Sequence, residues 1–203
     1  EILRCLVGSE MCIRDRVYAP AFTNYVEGIY VGYKYYETAA QEGSIDYDKT
    51  VQYPFGYGLS YTEFEQKMGE LEEKDGQISV DVEVTNTGDV AGKDVVEVYY
   101  KPPYTNGGIE KSSANLIEFA KTDLLQPGET QTVTVTFSIE DMASYDENNA
   151  KAYVLEKGDY VISINSDSHT VLDQKTYTAG NDVVYKGENK RVSDLSLIHI
   201  SEP

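Results

Sequence analysis

Between Gln77 and Tyr177, apolar and polar residues alternate in short runs divided by turn signals. Ile78, Val80, Val82 and Val84 alternate with Ser79, Asp81 and Glu83, which predicts a strand with one buried face. The sequence Asn-Thr-Gly-Asp at 86–89 then turns the chain. Val95–Tyr100 is a second strand, stopped by Pro102 and Pro103, and Leu116–Leu125 is a third, irregular one. After a turn at Gln126–Glu129, Val133, Val135, Phe137 and Ile139 alternate with Thr134, Thr136 and Ser138, the clearest strand pattern in the chain. Ala152–Leu155 and Tyr160–Ile164, joined by Glu156–Asp159, precede a last strand over Thr170–Tyr177. About seven short strands over ~100 residues predict a mainly β fold, an antiparallel β-sandwich of immunoglobulin or fibronectin-III type.

The chain before this region has a different texture. From Val17 to about Thr62 it is aromatic and punctuated by glycine. Ile29, Tyr33, Tyr36 and Ala40 fall at helical spacing, while Gly28 and Gly32 argue against a long helix. A strand or turn around Glu27–Val31 followed by one or two helical turns to Ala40 is expected. Pro54, Gly56 and Gly58 mark a tight connector. The segment is too short to cover its own aromatic side chains, so no core can be built from it alone.

Composition narrows the function. Of 203 residues, 40% are hydrophobic, enough for a real core. Seventeen basic against 35 acidic residues give a net charge of -18, which repels phosphate backbones and makes a nucleic-acid partner improbable. No stretch approaches the ~20 apolar residues of a membrane helix, so no membrane partner is expected. Two cysteines and two histidines leave little for a disulfide scaffold or a zinc site. No compartment is assigned.

The two ends stand apart. Gly8–Asp15 can be back-translated so that its reverse complement, read one base in, encodes Ser196–Pro203. Two unrelated native segments would rarely be complementary over their whole length, and the sequence resembles a translated transposase adapter used in sequencing libraries. Residues 1–16 and 196–203 are therefore expected to be artefacts and are excluded from fold reasoning. Without them the chain has no cysteine and a single histidine, His169.

Two stretches resemble a known family. Glu27–Tyr36 (EGIYVGYKYY) followed by Tyr53–Phe64 (YPFGYGLSYTEF) is similar to the junction in glycoside hydrolase family 3, the β-glucosidase and β-xylosidase-like enzymes. Val95–Tyr100, Leu124–Phe137 and Leu155–Ser168 resemble strands of that family's fibronectin type III-like domain. The chain departs from the pattern at Lys34, where the family commonly has arginine, and in an acidic insert over Glu37–Gln52. Between the adapter-derived pieces at 1–16 and 196–203, the resemblance implies the tail of an α/β domain at 17–62, a fibronectin type III-like domain at 63–178 and a linker at 179–195. It further implies a parent that is a retaining O-glycosyl hydrolase acting on terminal β-glycosidic bonds through two carboxylates. The nucleophile of that family lies in a barrel and the acid/base upstream in the α/β domain. The implied partners are thus the missing barrel and α/β domains of the same polypeptide and the glycoside substrate of the intact enzyme. The fragment itself supplies scaffold and interdomain packing. A stand-alone β-sandwich carbohydrate-binding or adhesion module is the alternative, although such a module has no need of the Pro54–Thr62 connector.

Several residues carry a chemical and a structural reading side by side. Glu27 offers its carboxylate to sugar hydroxyls or, with more weight, to a structural ion pair or cap. Tyr30, Tyr33, Tyr35 and Tyr36 form either a sugar-stacking platform or, with more weight, interdomain packing. Asp146–Asn149 resembles a calcium loop superficially but lacks its alternating ligands, so a solvated turn is expected. His169 falls at a turn with no cysteine or second histidine beside it, which argues against a metal or general-base role. No catalytic, substrate-binding or metal residue is assigned, and no cofactor.

Overall fold

The computed structural model describes residues 28–192. Glu27 and both supposed adapter-derived ends lie outside the described residues. Helix α1 (Tyr33–Gln41) and the single turn α2 (Tyr47–Thr50) come first. Ten strands follow: β1 (Phe64–Lys74), β2 (Gln77–Asn86), β3 (Val95–Lys101), β4 (Asn115–Lys121), β5 (Thr130–Ser138), β6 (Ser144–Asp146), β7 (Ala152–Leu155), β8 (Gly158–Asn165), β9 (Val171–Ala179) and β10 (Val183–Tyr185). A short 3₁₀ turn, Ile139–Met142, separates β5 from β6.

All pairing is antiparallel. One sheet has the order β1-β2-β5 and the facing sheet the order β4-β3-β8-β9. The alternation read in β2 and β5 puts Ile78, Val80, Val82, Val84, Val133, Val135 and Phe137 in one core with Val96, Val98, Tyr160, Ile162 and Ile164. On the opposite face of β2 and β5, short polar side chains pair across the strands. Ser79 and Thr136 hydroxyls lie 2.9 Å apart, and Thr134 donates to Asp81 at 2.6 Å. A third, small sheet of order β10-β7-β6 closes one end.

The expectations for the seven strands and the sandwich hold, with three additions. β1 pairs with β2 through Asp75 and Gly76, both at positive φ, a tight two-residue hairpin turn. Its charged sequence and a register shift between Met68 and Leu71 conceal the period of two. β6 was also unexpected. So was β10, whose Val183–Tyr185 pairs with Leu155–Tyr153 inside the stretch read as a linker. Just beyond it, Arg191 is buried and places its guanidinium 3.3 Å from the ring centre of Tyr153.

The turn at 86–89 has a different job from the hairpin its Asn-Thr-Gly-Asp signal suggests. β2 pairs with β1 and β5, and β3 belongs to the other sheet, so the turn carries the chain across the sandwich. Asn86 anchors the crossing. Its fully buried amide donates to the carbonyls of Val90 (2.9 Å) and Leu125 (3.0 Å), and its oxygen accepts from the Thr62 hydroxyl at 2.7 Å.

Candidate functional site

β3 is buried on both faces, because the residues before the sandwich cover its outer side. Val96, Val98 and Tyr100 point into the core, whereas Glu97 and Tyr99 point outward. Tyr99 is nonetheless only 2% exposed. Tyr33, at the start of α1, meets it edge to face at 6.2 Å and is stacked on its other side by Phe55 at 4.7 Å. The Tyr33 hydroxyl also accepts from the amide of Leu116 at 3.0 Å. Gly56 follows, at φ +86°, so close to Glu97 that an added Cβ would lie 2.6 Å from its carboxylate. Desolvation raises the Glu97 carboxyl above its usual range, a rise opposed by the hydrogen bond from Tyr99.

One turn further along α1, Glu37 is the helix's buried residue. Its Oε1 accepts from the hydroxyls of Tyr47 (2.6 Å) and Ser168 (2.8 Å), and its Oε2 lies 2.8 Å from Nδ1 of His169. The rings of Tyr47 and His169 are stacked at 3.7 Å, 5° from parallel. Asp167 fixes the turn that presents Ser168 and His169, accepting from the amides of His169 and Thr170. The Ser168 amide donates to the carbonyl of Phe55 at 2.8 Å, and the Ser113 amide to the Thr38 hydroxyl at 3.0 Å. The α1–α2 segment is therefore bound to the outer face of the β4-β3-β8-β9 sheet at several independent points.

The tyrosines at 30–36 divide between two surroundings. Tyr30 donates to Glu110 at 2.5 Å, and Tyr33 is enclosed as described. Tyr35 and Tyr36 meet edge to face at 5.3 Å and stay exposed on the open side of α1. Tyr53, Tyr57, Leu59 and Tyr61 are exposed as well, Tyr61 to 99%. Lys34 is half-buried beside them, and desolvation draws its ammonium below the usual lysine range. Asp146 accepts from the amides of Asn148, Asn149 and Ala150 within its own turn, and these bonds hold its carboxyl low.

Glu37 and Tyr47 were invisible as partners of His169, because the residues lie some 120–130 positions apart in the chain and neither side belongs to a chemical motif. The only available signal was an acidic residue on a helix face that otherwise carries Tyr33 and Ala40.

Comparison with known proteins agrees with this architecture. The family described as fibronectin type III-like domain matches residues 94–168. The chain is 36% identical to β-glucosidase A of Butyrivibrio fibrisolvens over 197 residues, covering 87% of this chain and 23% of that protein. Among solved structures, β-glucosidase 3B of Thermotoga neapolitana in complex with α-D-glucose superposes with a TM-score of 0.68 at 36% identity, covering 80% of this chain and 21% of the other. The Bifidobacterium adolescentis GH3 β-glucosidase gives 0.66 at 29% identity, covering 80% and 23%. The chain thus spans about a fifth of the length of the relatives it matches.

Proposed function

Because this chain belongs with the β-glucosidases of glycoside hydrolase family 3 and carries their fibronectin type III-like domain, we propose that it serves a longer enzyme hydrolysing terminal β-glycosidic bonds. The observation that carries the reading is the match to β-glucosidases along most of this chain but only a fifth of theirs. In this reading the residues present form scaffold and interdomain packing, and the nucleophile and acid/base belong to segments outside them. A barrel and the body of an α/β domain are the partners within the same polypeptide, and a β-glycoside is the substrate of the whole.

The described residues support the reading through their surface. Tyr35, Tyr36, Tyr53, Tyr57, Leu59 and Tyr61 expose apolar area in one stretch of chain. The ammonium of the half-buried Lys34 makes no hydrogen bond or ion pair among the described residues, which suits a surface awaiting a carboxylate from another domain. The layout carried forward from the sequence, a domain tail to residue 62 and a sandwich from 63, fits the docking of α1 on β3, with β10 extending the sandwich beyond 178.

The test has two arms. The purified chain should not hydrolyse an aryl β-glucoside. Turnover that co-purifies with it and disappears when one of its own carboxylates is removed would overturn the division of labour. Sequencing the flanking DNA should reveal a barrel with a nucleophilic aspartate, and its absence on both sides would favour the stand-alone module.

A further inference from the structure

The loop from residue 102 to 114 joins β3 to β4 and is fixed at its base. The buried Lys111 ammonium donates to the carbonyl of Pro103 at 2.6 Å and pairs with Glu156. Glu110 accepts from Tyr30, and the Ser113 amide donates to Thr38. The tip, 104–108, is exposed throughout. There the Gly108 amide donates to the Thr105 carbonyl at 2.9 Å, closing a turn whose central residues are Asn106 and Gly107. Gly107 sits at φ +80°, and a Cβ built on it would meet nothing within 4 Å. Neither the Asn106 side chain nor the Gly107 N–H has a hydrogen-bond partner among the described residues. Asn106–Gly107 is also the one Asn-Gly dipeptide in the sequence.

We propose that Asn106 is a self-modifying site, converting without an enzyme to an aspartyl residue and its β-linked isomer through a cyclic imide. The Gly107 nitrogen attacks Cγ of Asn106 and gives up its proton. The N–Cγ bond forms, the Cγ–Nδ2 bond breaks, and Nδ2 leaves as ammonia carrying that proton. Water then adds to either carbonyl of the five-membered ring and breaks its bond to the ring nitrogen, which regains a proton. The sum is one water taken up and one ammonia released, with no oxidant or reductant. The turn favours this attack because its nucleophile is held by no other acceptor and glycine brings no Cβ to obstruct the approach. Elsewhere the conditions fail. Asn86, Asn115 and Asn165 are buried and none precedes glycine, and the side-chain amides of Asn86 and Asn115 donate to backbone carbonyls. Each conversion adds a negative charge to a chain of net charge -18. Gly107 and Gly108 line one depression with Asp146, Glu156 and Asp182, so the new charge arises among like charges. The change falls on the tip, outside the Glu110 and Lys111 anchors, and leaves the sandwich folded. The inference rests on this loop and does not depend on the activity proposed for the longer protein.

The test is incubation of the purified chain in warm, mildly alkaline buffer, with tryptic peptides mapped at intervals. The tryptic peptide 94–111 holds a single side-chain amide, that of Asn106. It should gain about 1 Da and separate into two products of equal mass, the aspartyl form and its β-linked isomer. The peptides carrying Asn86, Asn115 and Asn165 should stay unchanged over the same period. Gly107→Ala should slow the conversion by about tenfold or more. Asn106→Gln, whose longer side chain must close a six-membered ring, should abolish it. Asn106 left intact in the folded chain while the synthetic 94–111 peptide converts would overturn the proposal, because the fold would then shield the turn. So would a single aspartyl product, which means direct hydrolysis, or a rate that Gly107→Ala leaves unchanged.

Discussion

Glu37 and His169 meet at 2.8 Å although one lies on the first helix and the other in the turn between β8 and β9. The carboxylate is buried while the imidazole remains partly open to solvent. Each is also tied to Tyr47, one by a hydrogen bond and the other by ring stacking. The three side chains form one fastening between the pre-sandwich segment and the sheet.

Removing the acceptor should therefore loosen a segment rather than unfold the domain. Glu37→Ala leaves the hydroxyls of Tyr47 and Ser168 without their acceptor. We expect a loss of about 1–3 kcal/mol with faster amide exchange over 33–50 and little change over β2 and β5. Equal acceleration in both regions would show that the segment and the sandwich open together.

Asn86→Ala should act globally. The substitution removes a donor from the carbonyls of Val90 and Leu125 and the acceptor of the Thr62 hydroxyl at the crossing between sheets. About 2–4 kcal/mol should be lost from a cooperative denaturant transition. A change below about 0.5 kcal/mol would mean that the backbone bonds of the turn suffice.

Gly56→Ala confronts both the positive φ and the Glu97 carboxylate. A cost of about 1–2 kcal/mol is expected, and Glu97→Ala in the same chain should recover part of it. Simple additivity of the two substitutions would show that backbone strain alone sets the cost.

Asp146 gives a pH signature. Its carboxyl is held below the usual aspartate range by the amides of Ala150, Asn149 and Asn148. A folded-state pKa lower than the unfolded one contributes stability that is present above the unfolded value and is lost as pH falls through the folded value. The stability difference between the parent and Asp146→Asn should thus be constant near neutrality. It should shrink on acidification below about pH 4, the ordinary aspartate range. A difference independent of pH down to 2 would remove the charge from the explanation.

Much of the sandwich was legible because one buried face leaves a period of two, as in Ile78–Val84 and Val133–Phe137. β1 was missed where Gly69 and its register shift break that period, although Asp75-Gly76 carried a hairpin signal. The turn at 86–89 shows the converse. Its local sequence fits a hairpin, but the partner of β2 is chosen by the burial of Asn86 and by contacts far along the chain. The aromatic segment reads from the sequence as unable to cover its own side chains; among the described residues Tyr35, Tyr53 and Tyr57 are exposed whereas Tyr33 packs on Tyr99. Its attachment through Tyr33, Glu37 and Tyr47 depends on residues brought together only by the fold, and no local pattern announces them.

The crossing after β2 also sets an order of events during synthesis. β1 and β2 can close as a hairpin as soon as they emerge, yet the second neighbour of β2 is β5, from Thr130 onward. At ~5–20 residues per second the ribosome needs roughly 3–10 s to deliver it. Over that interval Ile78, Val80, Val82 and Val84 stand in a row on a hairpin whose β2 edge is unpaired and which has no facing sheet. Asp81 and Glu83 on the same strand, and Lys67 on its neighbour, are then the charges that discourage a second nascent chain from pairing there. Charged side chains that merely face outward in the finished sandwich thus guard the nascent chain before its core can close.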